Sequence, residues 1–466
     1  MDDAFITWRY GQNLVQNGVW NYNPTNFDPT QAYTNPIYAL LSILPAALGI
    51  NVVVFFKLVA LLLALGFILW FVRKRPSANL PLALFFAIPA TMIHVFSGLE
   101  TFLFVVCVFA LFLAIQENRF ALALVVTSLL FLTRPEAWLL GLLVPLALSV
   151  RFAGTSRLRI SWRTFFLSAS VLGAFLVAYF ALHFWLFGEL LPNTFFVKSG
   201  RMLQPYYLVN LSVVLLPCLA LFMIGLRRVA SLALAFYIPI IFNYSSSAMG
   251  MDYASRYAFH IYAPLALFGI YVLTSKEGRK ALADRFSFFT RKAMVGILVF
   301  ALSLGFLAPT LPQNVLALAN YYPRLLDAHG QIGLLAKDSA KAMSIGDSGL
   351  APFVAGVPNL DTTLLGTKLG AKDGVTLELF RRYGVDFVAL RDRKKLVALM
   401  GPILANTNLT YVCDVYYGPE YRMQLWLTES TAQALATCAN SKVANNVDDL
   451  TYLSANVTRA PWNFWH

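Results

Sequence analysis

Between residues 51 and 311 the chain repeats one pattern, a long apolar run followed by a short polar or basic cluster. Runs of about 20 apolar residues mark transmembrane helices, whereas runs of roughly 10–14 more often lie at an interface or re-enter. Spans are expected at 51–72, 80–96, 101–116, 120–133, 137–150, 164–187, 206–225, 229–243, 257–274 and 293–311, about ten in this chain. The run 35–49, NPIYALLSILPAALG, has a shorter apolar core. Counted as a crossing it would invert every later loop, so it reads as a helix lying on the outer membrane face. Residues 1–50 then form one extracytoplasmic loop that opens MDDAFITWRYGQN and contains Asp2 and Asp3. A polar amino terminus exported without a leading anchor points to one more transmembrane helix upstream of residue 1.

After about residue 311 the pattern changes to short apolar strands punctuated by Gly and Asp: AMSIGD (342–347), VDFVAL (385–390) and YRMQLWL (421–427). Helical patterns such as GVTLELFRRYG (374–384) separate them. The fold class expected is therefore a polytopic α-helical membrane protein (51–311) with a C-terminal extracytoplasmic α/β domain (312–466) on the same side as the first loop. IGDSG (345–349) has no Walker or nucleophile-elbow context and reads as a strand-end turn.

Composition agrees with the membrane reading: 58% of residues are hydrophobic, 13% are charged, and mean hydropathy is +0.64. The net charge of +13 could suggest a nucleic-acid partner. Its distribution excludes one: residues 1–311 hold 22 Lys/Arg against 10 Asp/Glu, while residues 312–466 hold 14 against 13. The excess sits in alternate membrane loops. Sixteen Lys/Arg fall in loops taken as cytoplasmic, against Arg9, Arg134, Lys198, Arg201 and Arg256 in the opposite ones, which is the positive-inside asymmetry. Cys413 and Cys438 both fall in the tail, and an even pair in an oxidising compartment reads as a disulfide. Cys107 and Cys218 fall inside spans and read as small packing residues.

The candidate chemistry lies at the outer ends of the spans. There the ionisable or amide residues are Asp2, Asp3 and Arg9; His94 and Glu100 in MIHVFSGLE; Arg134 and Glu136 in LTRPEAW; Glu189, Asn193 and Lys198 in GELLPNTFFVKSG; and Asp252 and Arg256 in AMGMDYASRY. Any one of them, like Lys57 inside its span, has an ordinary reading as a snorkelling interfacial residue. As a set on one face they describe a polar cavity at the membrane surface. A sugar carried on a polyprenyl phosphate is one substrate that needs such a place. Its tail stays in the bilayer, its leaving group is already a phosphate anion, and one base to deprotonate an acceptor hydroxyl suffices. Cations, Arg above all, then hold the phosphate as its charge grows.

The segments DDAFITWRYGQNLVQNGVWNYNP, AYTNPIYALLSIL, SGLETFLFVVCVFAL, LTRPEAWLLGLL, GELLPNTFFVKSG and IGDSGLAPFVAGVPNLDTTLLG occur in an order that resembles the GT-C superfamily of polyprenyl-phosphate-sugar glycosyltransferases. The resemblance is to the arabinofuranosyltransferases of mycobacterial cell-wall assembly and the related pilin arabinosyltransferases. It runs over nearly the whole chain. It implies an inverting transferase of the bacterial plasma membrane that moves D-arabinofuranose from a decaprenyl-type phosphate carrier to a glycan or glycoprotein acceptor. In that family an Asp of the first extracytoplasmic loop is the base, which maps onto Asp2 or Asp3. Asp2 is slightly favoured, because in an extended opening the two side chains point apart. The other carboxylate would hydrogen-bond Arg9 or help hold a divalent cation; no further metal set is assigned and no other cofactor is implied. Arg9, Lys198, Arg134 and Arg256 are the donor-phosphate candidates, and Tyr33, Asn35, Glu100, Asn193 and Asp252 the sugar or acceptor candidates. Trp462, Phe464 and Trp465 would stack on sugar rings or anchor in the bilayer.

Two rival readings use the same residues. A GT-C transferase of another sugar, mannose or aminoarabinose, differs only in a few pocket side chains. A flippase for lipid-linked sugars would share the cavity and the spans, but it would more often carry internal repeats and leaves the tail domain without a role.

Overall fold

The computed structural model describes residues 2–153, 157–198, 210–223, 225–246, 256–276, 280, 322–392, 394–418, 421–429 and 431–444. The expected span 293–311, Asp252, and the aromatic residues Trp462, Phe464 and Trp465 lie outside them.

The amino-terminal segment is not an extended loop. It forms helix α1 (Asp2–Asn17), an irregular stretch, and the short helices α2 (Pro36–Leu41) and α3 (Ile43–Leu48). The apolar stretch follows as α4 (Val52–Lys74), α5 (Asn79–Ala87), α6 (Pro89–Phe96), α7 (Thr101–Gln116), α8 (Phe120–Phe131) and α9 (Leu140–Ser149). A basic hairpin, β1 (Val150–Ala153) and β2 (Arg157–Ile160), leads to α10 (Trp162–Phe187), α11 (Asn193–Lys198), α12 (Asn210–Met223), α13 (Arg227–Ser246) and α14 (Arg256–Leu273). Among the described residues four helices, α4, α10, α13 and α14, are long and apolar enough to cross a membrane. The expected span 80–96 is broken. The helical stretches Pro76–Ala87 and Pro89–Phe96 meet at 77°, because Pro89 has no N–H to continue the ladder and holds Ile88 extended. Counted as one span, this pair makes five. Helices α7, α8 and α9 are apolar but only 16, 12 and 10 residues long.

The bundle has an inside and an outside. Helices α7 and α14 are buried along most of their length and pack on each other, with α8, α12 and α13 around them. In contrast α4 and α10 turn bare apolar side chains outward: Leu62 is 68% exposed and Trp185 77%. A helix apolar on every side yet half uncovered suits a lipid surround.

The tail begins with α15 (Tyr322–Ser339) and builds one five-stranded mixed sheet. Its elements are β3 (Met343–Ile345), α16 (Leu350–Ala355), β4 (Asn359–Leu360), α17 (Gly370–Asp373), α18 (Leu377–Tyr383), β5 (Phe387–Arg391), α19 (Lys394–Leu404), β6 (Thr410–Gly418), β7 (Tyr421–Leu427) and α20 (Ala432–Ala444). The strand order is β4-β3-β5-β7-β6, with β3 parallel to β4 and β5 and the remaining pairs antiparallel. Central strands covered on both faces read as unbroken apolar runs. Here α15 and α20 cover one face and α18 and α19 the other. Cys413 on β6 is bonded to Cys438 on α20, pinning that helix to the edge strand.

The amino-terminal segment belongs to this tail as much as to the bundle. Tyr22 Oη donates to the Ser348 carbonyl at 2.7 Å, Asn23 Oδ1 accepts from the Asn359 amide at 2.8 Å, and Asp28 accepts from Tyr383 Oη at 2.7 Å. Each bond joins residues more than 300 apart in the chain, so the two segments expected as separate units are stitched into one.

Candidate functional site

Asp2 and Asp3 open helix α1, where acidic side chains suit the positive end of the helix dipole. Neighbouring helical positions are about 100° apart, so the two carboxylates leave on different faces. One face carries Asp3, Ile6 and Thr7, at i, i+3 and i+4, and turns toward the bundle. The other carries Asp2, Phe5 and Arg9, at i, i+3 and i+7, and turns toward the tail.

The bundle-facing side closes a cavity of about 270 Å³. It brings together Asp3, Tyr33, Asn35, Glu100, Arg134 and Arg256 from separate segments. Asp3 Oδ2 lies 3.5 Å from Arg256 Nη1. Arg134 Nη1 donates to Glu100 Oε1 at 2.9 Å, and its Nη2 and Nε hold Glu136 at 3.0 and 3.2 Å. Asn35 Nδ2 donates to the second Glu100 oxygen at 2.5 Å, and Tyr244 Oη donates to Glu136 at 3.0 Å. Both guanidinium groups lie over the ring of Tyr257, at 5.9 Å for Arg134 and 5.0 Å for Arg256. Trp138, Phe195 and Tyr33 add aromatic wall.

Local chemistry explains how the short motifs deliver these groups. In LTRPE, Arg134 precedes proline and is held extended (φ −154°, ψ 141°), so α8 ends and the side chain swings into the cavity. Pro135 then starts a short 3-10 turn that offers Glu136. In SGLE, Gly98 adopts φ +79° and a Cβ there would strike the Trp8 ring at 2.9 Å. Only glycine makes that turn at that distance, and the turn sets Glu100 at the start of α7. In LLPNTFFVK, Asn193 Nδ2 donates to the carbonyls of Leu364 and Leu365 at 2.6 and 2.9 Å, tying α11 to the tail.

Other expected site residues lie elsewhere. Arg9 is 1% exposed, donates to the carbonyls of Tyr22 and Val357 at 2.7 and 2.5 Å, and stacks on Tyr22. It is a cross-brace between α1 and the tail, not a lining residue, and it pairs with neither Asp2 nor Asp3. Asn193 braces α11 beside the cavity while its neighbours Pro192 and Thr194 line it. Lys198 ends α11, and nothing further is described of its side chain. An extended opening favours Asp2 as the residue facing the acceptor. In the helix it is Asp3 that lines the cavity.

Asp2 instead meets residues that sequence reasoning passed over. Its Oδ1 accepts the Leu350 amide at 2.8 Å and lies 3.4 Å from His329 Nδ1, and His329 Nε2 lies 3.7 Å from Asp347 Oδ2. His329 is fully buried. Burial alone would raise the Asp2 carboxyl, but the hydrogen bond and charge of His329, with the Leu350 amide, hold it below the ordinary value. Burial likewise opposes charge on His329, and the flanking Asp2 and Asp347 outweigh it and raise the imidazole above its ordinary value. IGDSG is thus the strand-end turn expected, and it also delivers Asp347 and the Leu350 amide. Asp28 and Asp361 are two further buried tail-face carboxylates, raised by desolvation; amide and hydroxyl donors hold them in place.

Among the described residues no group of three or more His, Cys, Asp or Glu is placed to hold a metal ion. Comparison of the chain with protein-family models, with curated proteins and with solved structures gave no match. The class that fold and site define is a mostly helical protein with several apolar helices of membrane-spanning length and a small mixed sheet in its tail.

Proposed function

We propose that the chain is an inverting glycosyltransferase that moves D-arabinofuranose from a polyprenyl-phosphate carrier to a hydroxyl of a cell-envelope glycan or glycoprotein. The observation that carries the reading is the Asp3–Arg256 pair, 3.5 Å apart in the wall of a cavity between the apolar bundle and the tail. Asp3 is the general base. Arg256 is the cation assigned to the phosphate, because it lines the cavity beside Asp3 and over the Tyr257 ring. Arg134 is committed to Glu100 and Glu136 and shapes the wall. Tyr33 and Asn35 meet sugar hydroxyls; Asn35 Oδ1 is buried without a hydrogen-bond partner among the described residues. Phe195, 50% exposed, borders the cavity on the side where a polyprenyl tail would leave. The finer topology in this reading is ten crossings of the bacterial plasma membrane, with cavity and tail on the outer side. Labelling of cysteines introduced near Asn193 and Ala371 tests it, since both should react from outside.

A second reading rests on charge. The described cavity walls hold three carboxylates, Asp3, Glu100 and Glu136, against two guanidiniums. That excess suits a cationic amino-pentose better than a neutral sugar. Offering the purified protein, in lipid nanodiscs, a panel of synthetic polyprenyl-phospho-sugars separates the two. Transfer from the arabinofuranosyl donor supports the first reading and transfer only from the amino-sugar donor supports the second. No transfer from any donor, with folded protein, rejects both.

A further inference from the structure

A buried imidazole between two carboxylates is costly unless each charge is matched. At His329 the opposing charges come from widely separated segments: Asp2 from the first turn of α1, His329 from α15, and Asp347 from the turn after β3. The three groups form a row, at 3.4 and 3.7 Å, with His329 fully enclosed and the side chain of Asp2 5% exposed. The Leu350 amide adds a fourth member at 2.8 Å. At Gly349 an added Cβ would run into the main chain and carboxylate of Asp2, so the tail backbone closes directly on the start of α1.

We infer that His329 is a positioning residue: held by Asp347, it locks Asp2 to the tail and thereby sets Asp3, one residue on, opposite Arg256. The inference rests on the proposed transferase for its consequence in turnover, but the lock itself is a statement about α1. Without the positive imidazolium, the buried Asp2 and the partly buried Asp347 would be left as like charges on either side of the ring, and α1 would swing from the tail. The Asp3 carboxylate would move with it. A displacement of about 1 Å at a reacting group can cost about 100-fold in rate.

The test uses the complete protein in nanodiscs and reads amide hydrogen exchange alongside transfer. His329→Gln keeps a hydrogen-bonding side chain of similar size and removes the charge. Exchange across the first three turns of α1 is expected to rise about 10-fold or more while β3 and β5 keep their protection, and kcat to fall about 100-fold with KM for the donor nearly unchanged. The double variant His329→Gln/Asp347→Asn removes the facing carboxylate and should regain part of the α1 protection, a recovery that mere loss of packing would not give. Unaltered α1 exchange in His329→Gln, or no recovery in the double variant, overturns the lock. If His329→Gln loosens the sheet as well, Asp347→Asn alone decides: faster exchange confined to α1 supports the inference and none refutes it. Should even the wild-type protein transfer no sugar, the exchange results still judge the lock while the transferase reading falls by itself.

Discussion

Asp3 Oδ2 and Arg256 Nη1 stand 3.5 Å apart although 253 positions separate them in the chain. The Asp3 side chain lines the cavity and remains 26% exposed. Asp2, its neighbour, is enclosed by the tail. Replacing Asp3 with Asn should therefore lower transfer by about 100- to 10,000-fold, the span typical of a lost general base, with the melting temperature little changed. Asp2→Asn should show the reverse balance, a clear loss of thermal stability and a smaller loss of rate. Equal rate losses in the two variants would remove the assignment of the base to Asp3.

Arg134 makes a different kind of prediction. Its guanidinium, 7% exposed, joins the buried Glu100 and the partly buried Glu136. Removing one member of such a network leaves uncompensated charge, at a cost of about 3–5 kcal/mol. Arg134→Gln should lower stability by that order in detergent unfolding, and adding Glu100→Gln to it should recover part of the loss. A fully stable Arg134→Gln protein would mean that the triad is no structural brace.

Much of this site could be read before the fold was known, because the motifs carry their own geometry. Pro135 after Arg134 and Gly98 before Glu100 announce where helices stop and where side chains turn inward. The spacing of Asp2, Phe5 and Arg9 against Asp3, Ile6 and Thr7 was also present in the sequence. An extended opening hides that spacing and groups Arg9 with the cavity instead of with the tail. Three tail strands, β3, β5 and β7, are legible from their apolar runs, whereas β4, two residues long, and β6, interrupted by Asp414, are not. His329 was not: a single histidine in the amphipathic pattern of α15 gives no sign of the two carboxylates that tertiary contact brings to it. Nor was the break at Pro89 separated from an ordinary span, since an apolar run looks the same on both sides of a bend.

The His329 row also predicts a pH dependence. Among the described residues, Asp2 and Asp347 face the imidazole and favour its charge, and Arg391 opposes it. Its pKa is raised in the fold, so its contribution is complete below the ordinary value of 6.5 and lost as pH climbs through the raised one. Asp2 is depressed, so its contribution is complete above 3.8 and lost as pH falls through the lower one. The attachment of α1 should thus be firmest from about pH 4 to pH 6.5. Measured as melting temperature, the advantage of wild type over His329→Gln should shrink as pH rises from 6 to 9; a constant gap would contradict the charge argument.

The Cys413–Cys438 bond joins residues 25 apart with Cα atoms 6.2 Å from each other. A loop of this size restricts the unfolded chain enough to stabilise the fold by about 2–4 kcal/mol. The double variant Cys413→Ser/Cys438→Ser should lose roughly that much, and reductant should lower the melting temperature of the wild type but not of the variant. Identical unfolding with and without reductant would exclude a stabilising bond.

Gly349 offers the sharpest steric test. Its φ of −89° is not left-handed, so the case for glycine rests on contacts. The demand comes from across the interface, where a methyl group would meet both the carbonyl oxygen and the carboxylate of Asp2. These are a helix's first-turn backbone and a group already engaged by the Leu350 amide and His329, and neither can rotate away as a flexible side chain would. Gly349→Ala must therefore push α1 off the tail or shift the turn that holds Asp347. Overpacking of this kind typically costs about 1–3 kcal/mol. Exchange of the first α1 amides should rise, and transfer should fall because Asp3 moves relative to Arg256. Gly366→Ala, which strikes the Tyr22 ring in the same interface, should lower stability comparably while leaving the Asp3–Arg256 distance nearer its original value. A crosslinker bridging residue 5 of α1 to residue 353 of α16, adjacent through the Phe5–Phe353 ring contact at 5.3 Å, should restore rate to Gly349→Ala if displacement of α1 is the cause. Failure of that restraint to recover any rate would place the defect in the Asp347 turn instead.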